Sequence, residues 1–258
     1  MHVLCPMSGS MRCLPWENTA QYRQQNGMVV QRQMIRAEKL KKSFGSTTVL
    51  DEVSFEIPDG AIVGIYGKSG IGKSTLAKIL CGVYPPQSGR VYLDGELLCS
   101  PDTAYDRRRG MRIQMVYQQP YSSLDPNQKL RDGFYELIRY HRFAEDRQSA
   151  DQKIDSILHE VGLERSILNH LPYQISGGEA QRIAIARCLL FEPRLLILDE
   201  ATSMLDVSTQ ANVLAMVKKA IQKNNSSVML ISHDEELVSF LCNQIYVFDN
   251  KKLKEKTI

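Results

Sequence analysis

Two stretches of this chain place glycines beside residues that bind anions. Gly67-Lys68-Ser69-Gly70-Ile71-Gly72-Lys73-Ser74 fits the pattern G-x-x-x-x-G-K-[ST]. Its glycines let successive backbone N–H groups curl around an anion, and a helix starting at once adds partial positive charge. Lys73 can reach the β- and γ-phosphates of a nucleotide, and the Ser74 hydroxyl can ligate Mg2+. The second stretch, "ISGGEAQR", also runs into a helix-like sequence, yet no second copy of the first motif accompanies it.

The acids that such a loop needs stand in "LLILDE", residues 195–200, an apolar strand ending in two carboxylates. A parallel strand delivers its last residues to the sheet edge where a phosphate loop lies. Asp199 there suits the Mg2+ shell, and Glu200 suits general-base attack by water. Alone, such an ending is equally a strand cap; with the loop upstream, the catalytic reading wins. His233 closes "MLIS" at the same edge, placed to touch a γ-phosphate or to hold Glu200. Gln118, in "MVYQQP", is ambiguous by chemistry alone, and His2, His141, His159 and His170 have no partner pattern.

The elements that must position these residues are legible in outline. "AIVGIYG" reads as a buried parallel strand leading into the first loop, and a helical pattern follows over Ser74–Cys81. "RLLILDE" and "SVMLIS" read as two more buried strands with the helical "STQANVLAMVKKAIQK" between them, implying a parallel sheet in an α/β layer structure. "VLDEVSFEI" and "RVYLDGELL" alternate and read as antiparallel strands. The helical middle, roughly residues 120–187, interrupts the alternation as an inserted subdomain. Residues 1–33 are polar and aperiodic and read as a disordered extension, or as an artefact of start-codon choice, since Met28 and Met34 both precede the first patterned segment. The ordered domain is expected over 34–250, with a short tail at 251–258.

Composition excludes some classes. The 258 residues, 43% hydrophobic and 24% charged, describe an ordinary globular chain, and a net charge of +3 gives no case for a nucleic-acid partner. Arg107–Arg109 and Lys251, Lys252, Lys254 and Lys256 read as solvated faces. None of the six cysteines is spaced as CxxC, which argues against zinc and redox motifs and for reduced thiols in a cytosolic protein; Cys81 and Cys188 fall in apolar runs as small core residues. No apolar run reaches the length of a membrane span, and the N-terminus is a poor signal peptide.

Taken together, the residues resemble the ATP-binding subunits of ABC transporters. "GKSGIGKST" is similar to their Walker A, "LLILDE" to their Walker B, and "ISGGEAQR" to their signature, usually written LSGGQ. "SMLD", ending at Asp206, is similar to the D-loop, His233 to the switch histidine, Gln118 to the Q-loop glutamine and Phe44 to the aromatic that stacks on adenine. The resemblance spans about residues 35–250, in the family's order of motifs. It implies a P-loop NTPase core with a mixed sheet, an N-terminal antiparallel β-subdomain and the inserted helical subdomain. It also implies ATP and Mg2+, with nucleotide contacts from Phe44 and from Gly67, Lys68, Ser69, Gly70, Ile71, Gly72, Lys73, Ser74 and Thr75. Ser74, Gln118 and Asp199 would hold the Mg2+; Glu200, His233 and Gln118 would act in catalysis.

The family's domains work as head-to-tail pairs, so Ser176, Gly177, Gly178 and Glu179 would contact the ATP of a second subunit, identical or related. Gln118 would sense the nucleotide and move the helical subdomain against integral membrane permease subunits, with a solute-binding protein engaged indirectly. Such a subunit sits peripherally on the cytoplasmic face of the membrane. "QMVYQQPYSSLDP" looks like the peptide and nickel importer group; Ile175, Glu179, Gln119 and Met204 depart mildly from the usual residues. The chain stops soon after "IYVFDNKKLKEKTI", without the extension of many peptide importers, which favours nickel or another small solute over peptides. Competing expectations are a soluble ABC-type ATPase that remodels a complex and an accessory subunit of a metabolic assembly such as phosphonate breakdown. About 58 residues separate Gln118 from Ser176, too few for the long coiled coil of many remodelling ATPases at ~1.5 Å per residue.

Overall fold

The apolar runs of the chain sort between two sheets. The structure is a computed structural model that describes residues 33–201, 207–224 and 226–256. The alternating segments form β1 (Gln33–Phe44), β2 (Thr47–Pro58), β4 (Ser88–Leu93) and β5 (Glu96–Cys99), an antiparallel sheet in the order β2-β1-β4-β5. The continuous apolar runs form β3 (Ile62–Tyr66), β6 (Ile113–Val116), β7 (Leu195–Asp199), β8 (Ser227–Ser232) and β9 (Gln244–Asp249). With β10 (Lys252–Lys256) they make a six-stranded sheet in the order β10-β9-β3-β8-β7-β6. All its pairings are parallel except that of β10 with β9, so the sheet is mixed, as expected.

Every residue of β7 and β8 is buried, because both faces of the sheet are covered. Leu196, Leu198, Val228 and Leu230 enter one core, and Leu195, Ile197, Met229 and Ile231 the other, as the two-residue strand period dictates. Each such side chain contributes roughly 1.5–3 kcal/mol of burial. The second core also takes Leu40, Leu50, Phe55 and Val91 from the antiparallel sheet, so the two sheets share it. The Tyr246 hydroxyl of β9 locks the junction: it donates to the Glu56 carbonyl and accepts from the Glu56 N–H, both at 3.2 Å.

Between β6 and β7 the chain passes through the helical insert: α2 (Leu130–His141), α3 (Arg147–Glu160) and α4 (Gly177–Leu189), following α1 (Lys73–Leu80). Leu130, Phe134 and Ile138 repeat at four-residue spacing and bury one stripe of α2 against Ile154, Ile157 and Ile183 of its neighbours. Asp146 caps α3, accepting from the Ser149 N–H at 2.8 Å. After the insert come α5 (Val207–Asn224) and α6 (Glu235–Leu241).

Three boundaries differ from expectation. "RVYLDGELL" is two strands, because Asp94 and Gly95 take φ of 52° and 82° and turn the chain back as a hairpin. The segment expected to trail off beyond residue 250 instead forms β10: Asn250 and Lys251 adopt φ of 45° and 65° and fold it onto β9. Helix α1 starts at Lys73, one residue early. The extension expected over 1–33 lies outside the described residues, apart from Gln33, which opens β1. Cys99 and Cys242 are buried, which pushes their thiols up to about 11 and about 12, while Cys81 and Cys188 are half-buried; all four are free thiols.

Candidate nucleotide site

The first glycine loop joins β3 to α1 and is closed on itself by Lys73. The side chain of Lys73 is only 4% exposed, and its ammonium donates to the carbonyls of Gly67 at 2.7 Å and Lys68 at 2.9 Å. Burial holds it below the usual lysine range, against the opposing pull of Glu200 and Asp199. Lys68, Ser69 and Gly70 form the exposed tip, Gly67 and Gly72 lie buried at its base, and Ile71 packs against the second core. Ser74 and Thr75 follow in the first turn of α1.

Asp199 ends β7 as predicted and accepts a hydrogen bond from the Ser74 hydroxyl at 3.1 Å. Burial pushes its carboxyl up from the usual range, and the Ser74 bond opposes that shift. The pair offers hard oxygen donors of the kind Mg2+ takes, with room left in its shell for water and phosphate. Among the described residues no group of three or more His, Cys, Asp and Glu stands close enough to hold a metal by itself.

Glu200 is where the strand ends converge. Its Oε1 lies 3.7 Å from the Lys73 ammonium and 3.6 Å from His233 Nδ1, and its Oε2 accepts from Gln118 Nε2 at 3.3 Å. These partners come from the start of α1, the end of β8 and the end of β6, elements far apart in sequence. Glu200 also holds φ at 49°, with its N–H bonded to the Ile231 carbonyl at 3.0 Å. A left-handed non-glycine residue stores roughly 1–3 kcal/mol of strain, and such residues cluster at functional sites.

The second loop is built differently. Ser176 is the N-cap of α4, and its hydroxyl donates to Glu179 Oε2 at 2.7 Å and accepts from the Glu179 N–H at 3.3 Å. The Ser176 N–H donates to the same carboxylate at 2.8 Å, completing a reciprocal cap and holding the Glu179 carboxyl below its usual range. Glu179, expected to face a nucleotide, is thus engaged by its own helix start. Among the described residues, no atom beyond its chain neighbours and its own helix backbone lies within 4 Å of where a Cβ on Gly177 would stand. Asp206 lies outside the described residues.

Phe44, at the end of β1, is 43% exposed. Sequence reasoning missed its neighbours. The Tyr84 ring meets it edge-on with centroids 5.2 Å apart, and the Lys42 ammonium stands 5.5 Å from its ring while donating to the Pro85 carbonyl at 2.8 Å. Tyr84 precedes a Pro-Pro turn, a local signal of a fixed backbone, but its pairing with Phe44 is a tertiary contact that periodicity does not encode.

Comparison with known proteins decides the family. A model of the ABC transporter family matches residues 50–203, from β2 through both glycine loops and the acid pair. The chain belongs to the ABC transporter family.

The nickel import ATP-binding protein NikE of Escherichia coli K12 is 37% identical to this ABC subunit over 210 residues, covering 81% of this chain and 78% of NikE. Among solved structures, the ATP-binding cassette MJ0796, described as a dimeric post-hydrolysis state bound to ADP and Pi, superposes with a TM-score of 0.74 at 27% identity, covering 87% of this chain and 98% of that one. The cbiO1 protein of Clostridium perfringens, part of the ABC transporter complex cbiONQ, shares the fold with a TM-score of 0.75 at 23% identity, covering 86% and 87%. The ABC fold expected from the sequence, with its mixed sheet and antiparallel β-subdomain, is the fold observed. As an ABC ATP-binding subunit, the chain binds and hydrolyses ATP.

Proposed function

We propose that this chain is one of a pair of ATP-binding subunits powering an importer for nickel, peptides or a related small solute. It would work at the cytoplasmic face of the membrane, against integral permease subunits supplied by a solute-binding protein. NikE, a nickel import ATP-binding protein, supports the importer reading. Among the described residues no helix is long and apolar enough to cross a membrane, so in this reading the permeases supply the spans.

Within the site, the loop from Gly67 to Thr75 wraps the phosphates, and Phe44 offers its ring to the adenine. Lys73 exchanges its two carbonyl partners for phosphate oxygens. Ser74, Asp199 and the amide oxygen of Gln118 hold Mg2+, which when bound neutralises charge on the β- and γ-phosphates. Glu200, held from three sides, accepts the proton of the attacking water. His233, 55% exposed beside it, reaches toward the γ-phosphate. Asp206 follows as the D-loop acid.

Ser176, Gly177, Gly178 and Glu179 serve the partner's ATP, and the open space at Gly177 is the observation that carries this reading. Among the described residues, no atom beyond its chain neighbours and its own helix backbone stands within 4 Å of that point, and a helix start suits a phosphate.

The decisive test joins Lys73→Ala and Gly177→Asp in one subunit and tethers it to an unmodified mate. If the sites are shared, each of the two lacks one loop, and hydrolysis is expected to fall to background. Turnover near half of the unmodified tethered pair would overturn the shared-site reading. The importer half rests on co-purification with integral membrane subunits; recovery with soluble enzyme components alone would overturn it.

A further inference from the structure

The short turn Pro120–Ser123 follows Gln118 and is tied at two points, once to the residue before the α4 cap and once to α4 itself. The Tyr121 hydroxyl donates to the Ile175 carbonyl at 2.9 Å. Lower down the helix, the Arg187 guanidinium donates to the Ser123 carbonyl. The turn itself is stiff: Pro120 is buried, Ser122 Oγ donates to the Gln119 carbonyl at 2.6 Å and Ser123 Oγ to the Pro120 carbonyl at 2.7 Å.

Ile175 is buried and directly precedes the cap residue Ser176. The peptide unit between them is held at both ends. Its carbonyl accepts from Tyr121, and its N–H, that of Ser176, donates to Glu179 at 2.8 Å. Rotating that peptide plane breaks both bonds together, so the direction of the Ser176 hydroxyl follows the position of Tyr121. At its other end the turn leads back through Gln119 to Gln118, whose amide contacts Glu200 at 3.3 Å. A short, hydrogen-bonded path therefore runs from the acid at one glycine loop to the cap of the other.

We propose that Tyr121 is a positioning residue whose hydroxyl couples the placement of Gln118 to the placement of Ser176. This rests on the shared-site reading above: the state of a subunit's own nucleotide then sets the readiness of the loop it offers its partner. The hydroxyl acts through the Ile175 peptide, so its loss alters turnover and leaves nucleotide binding by the isolated subunit alone.

Tyr121→Phe removes the hydroxyl and keeps the ring. Losing one hydrogen bond is expected to lower Tm by about 2–4 °C at most. Affinity of the monomer for a fluorescent ATP analogue and KM for ATP are expected to stay unchanged, while kcat falls by roughly 3–10-fold. An unchanged kcat overturns the proposal, and so does a rise in KM that accounts for the whole loss.

A tethered pair then separates this role from a local one. One subunit carries Gly177→Asp and the other Lys73→Ala, which leaves a single composite site. Tyr121→Phe in the Lys73→Ala subunit, whose second loop is the live one, is expected to lower turnover by the same factor. In the Gly177→Asp subunit it is expected to have no effect. The reverse pattern overturns the coupling. A parent pair with no turnover counts against the shared-site reading, and the untethered kcat and KM then judge Tyr121 alone.

Discussion

Both glycine loops lead into helix starts, but under opposite constraints. In the first, the fold itself demands glycine. Gly72 holds φ at 125°, and a Cβ there would fall 2.7 Å from a Val49 methyl and 3.2 Å from the Phe248 ring; at Gly67 it would fall 2.8 Å from the Phe248 carbonyl oxygen. In the second, Gly177 lies outside the left-handed region and faces open space. The first loop closes on Lys73, whereas the second closes only its cap, between Ser176 and Glu179. A glycine that its own chain requires reports on folding. One that its own chain does not require points to an approach from outside.

The strongest way to break this contrast is Glu200→Gln. It removes the proposed base while leaving both loops intact, so hydrolysis is expected to fall ~10²–10⁴-fold. On the proposal that closure needs both loops and an uncleaved γ-phosphate, the variant should elute from gel filtration as a dimer with ATP and as a monomer without it. Continued turnover, with a monomer in both conditions, would remove Glu200 from the role.

A matched pair of alanines sharpens the comparison next. Gly72→Ala forces a methyl against Val49 and Phe248 at a left-handed φ and is expected to destabilise the fold by ~2–4 kcal/mol, read as a lowered denaturation midpoint. Gly177→Ala is expected to shift stability by less than ~0.5 kcal/mol yet to lower hydrolysis at least ~10-fold, the cost of ~1.4 kcal/mol at the transition state. Equal effects of the two substitutions on stability would erase the distinction between the loops.

The smallest effect tests the cap. Gln can replace Glu in this kind of cap, so Glu179→Gln should keep the start of α4 while removing a negative charge beside the proposed phosphate position. Circular dichroism should be unchanged, and steady-state hydrolysis should stay within about threefold, given ~0.5 kcal/mol for an exposed charge. A loss of helix would mean that the carboxylate charge, and not the hydrogen bond, supports the cap.

How much of this was legible in the sequence varies with the range of the forces involved. The apolar runs of β3, β7 and β8 and the motif between β3 and α1 are local, and they place Lys73, Ser74, Asp199 and Glu200 on one sheet edge. His233 is placed by its strand end, whereas Gln118 is picked out only by the family resemblance; both stand beside Glu200. The hairpin of β9 and β10 was missed because Asn250 and Lys251 supply the positive φ that a glycine usually advertises. Asp94–Gly95 did advertise its turn, but the alternation continued across it and read as one strand. The Phe44–Tyr84 and Tyr121–Ile175 contacts join residues far apart in sequence, and no local pattern encodes them.

The edge strand β10 bears on how the protein survives in a crowded cell. Lys252, Lys254 and Lys256 stand exposed along it, while Leu253 tucks against the second core. A sheet rim invites another copy to add its own strand, and evenly spaced lysines make that pairing repulsive and wet. In the shared-site arrangement proposed above, the subunit would meet a mate face to face through its glycine loops without stacking edge to edge into fibres. The lysines at the rim discourage such polymerisation and leave the loop face as the favoured meeting surface.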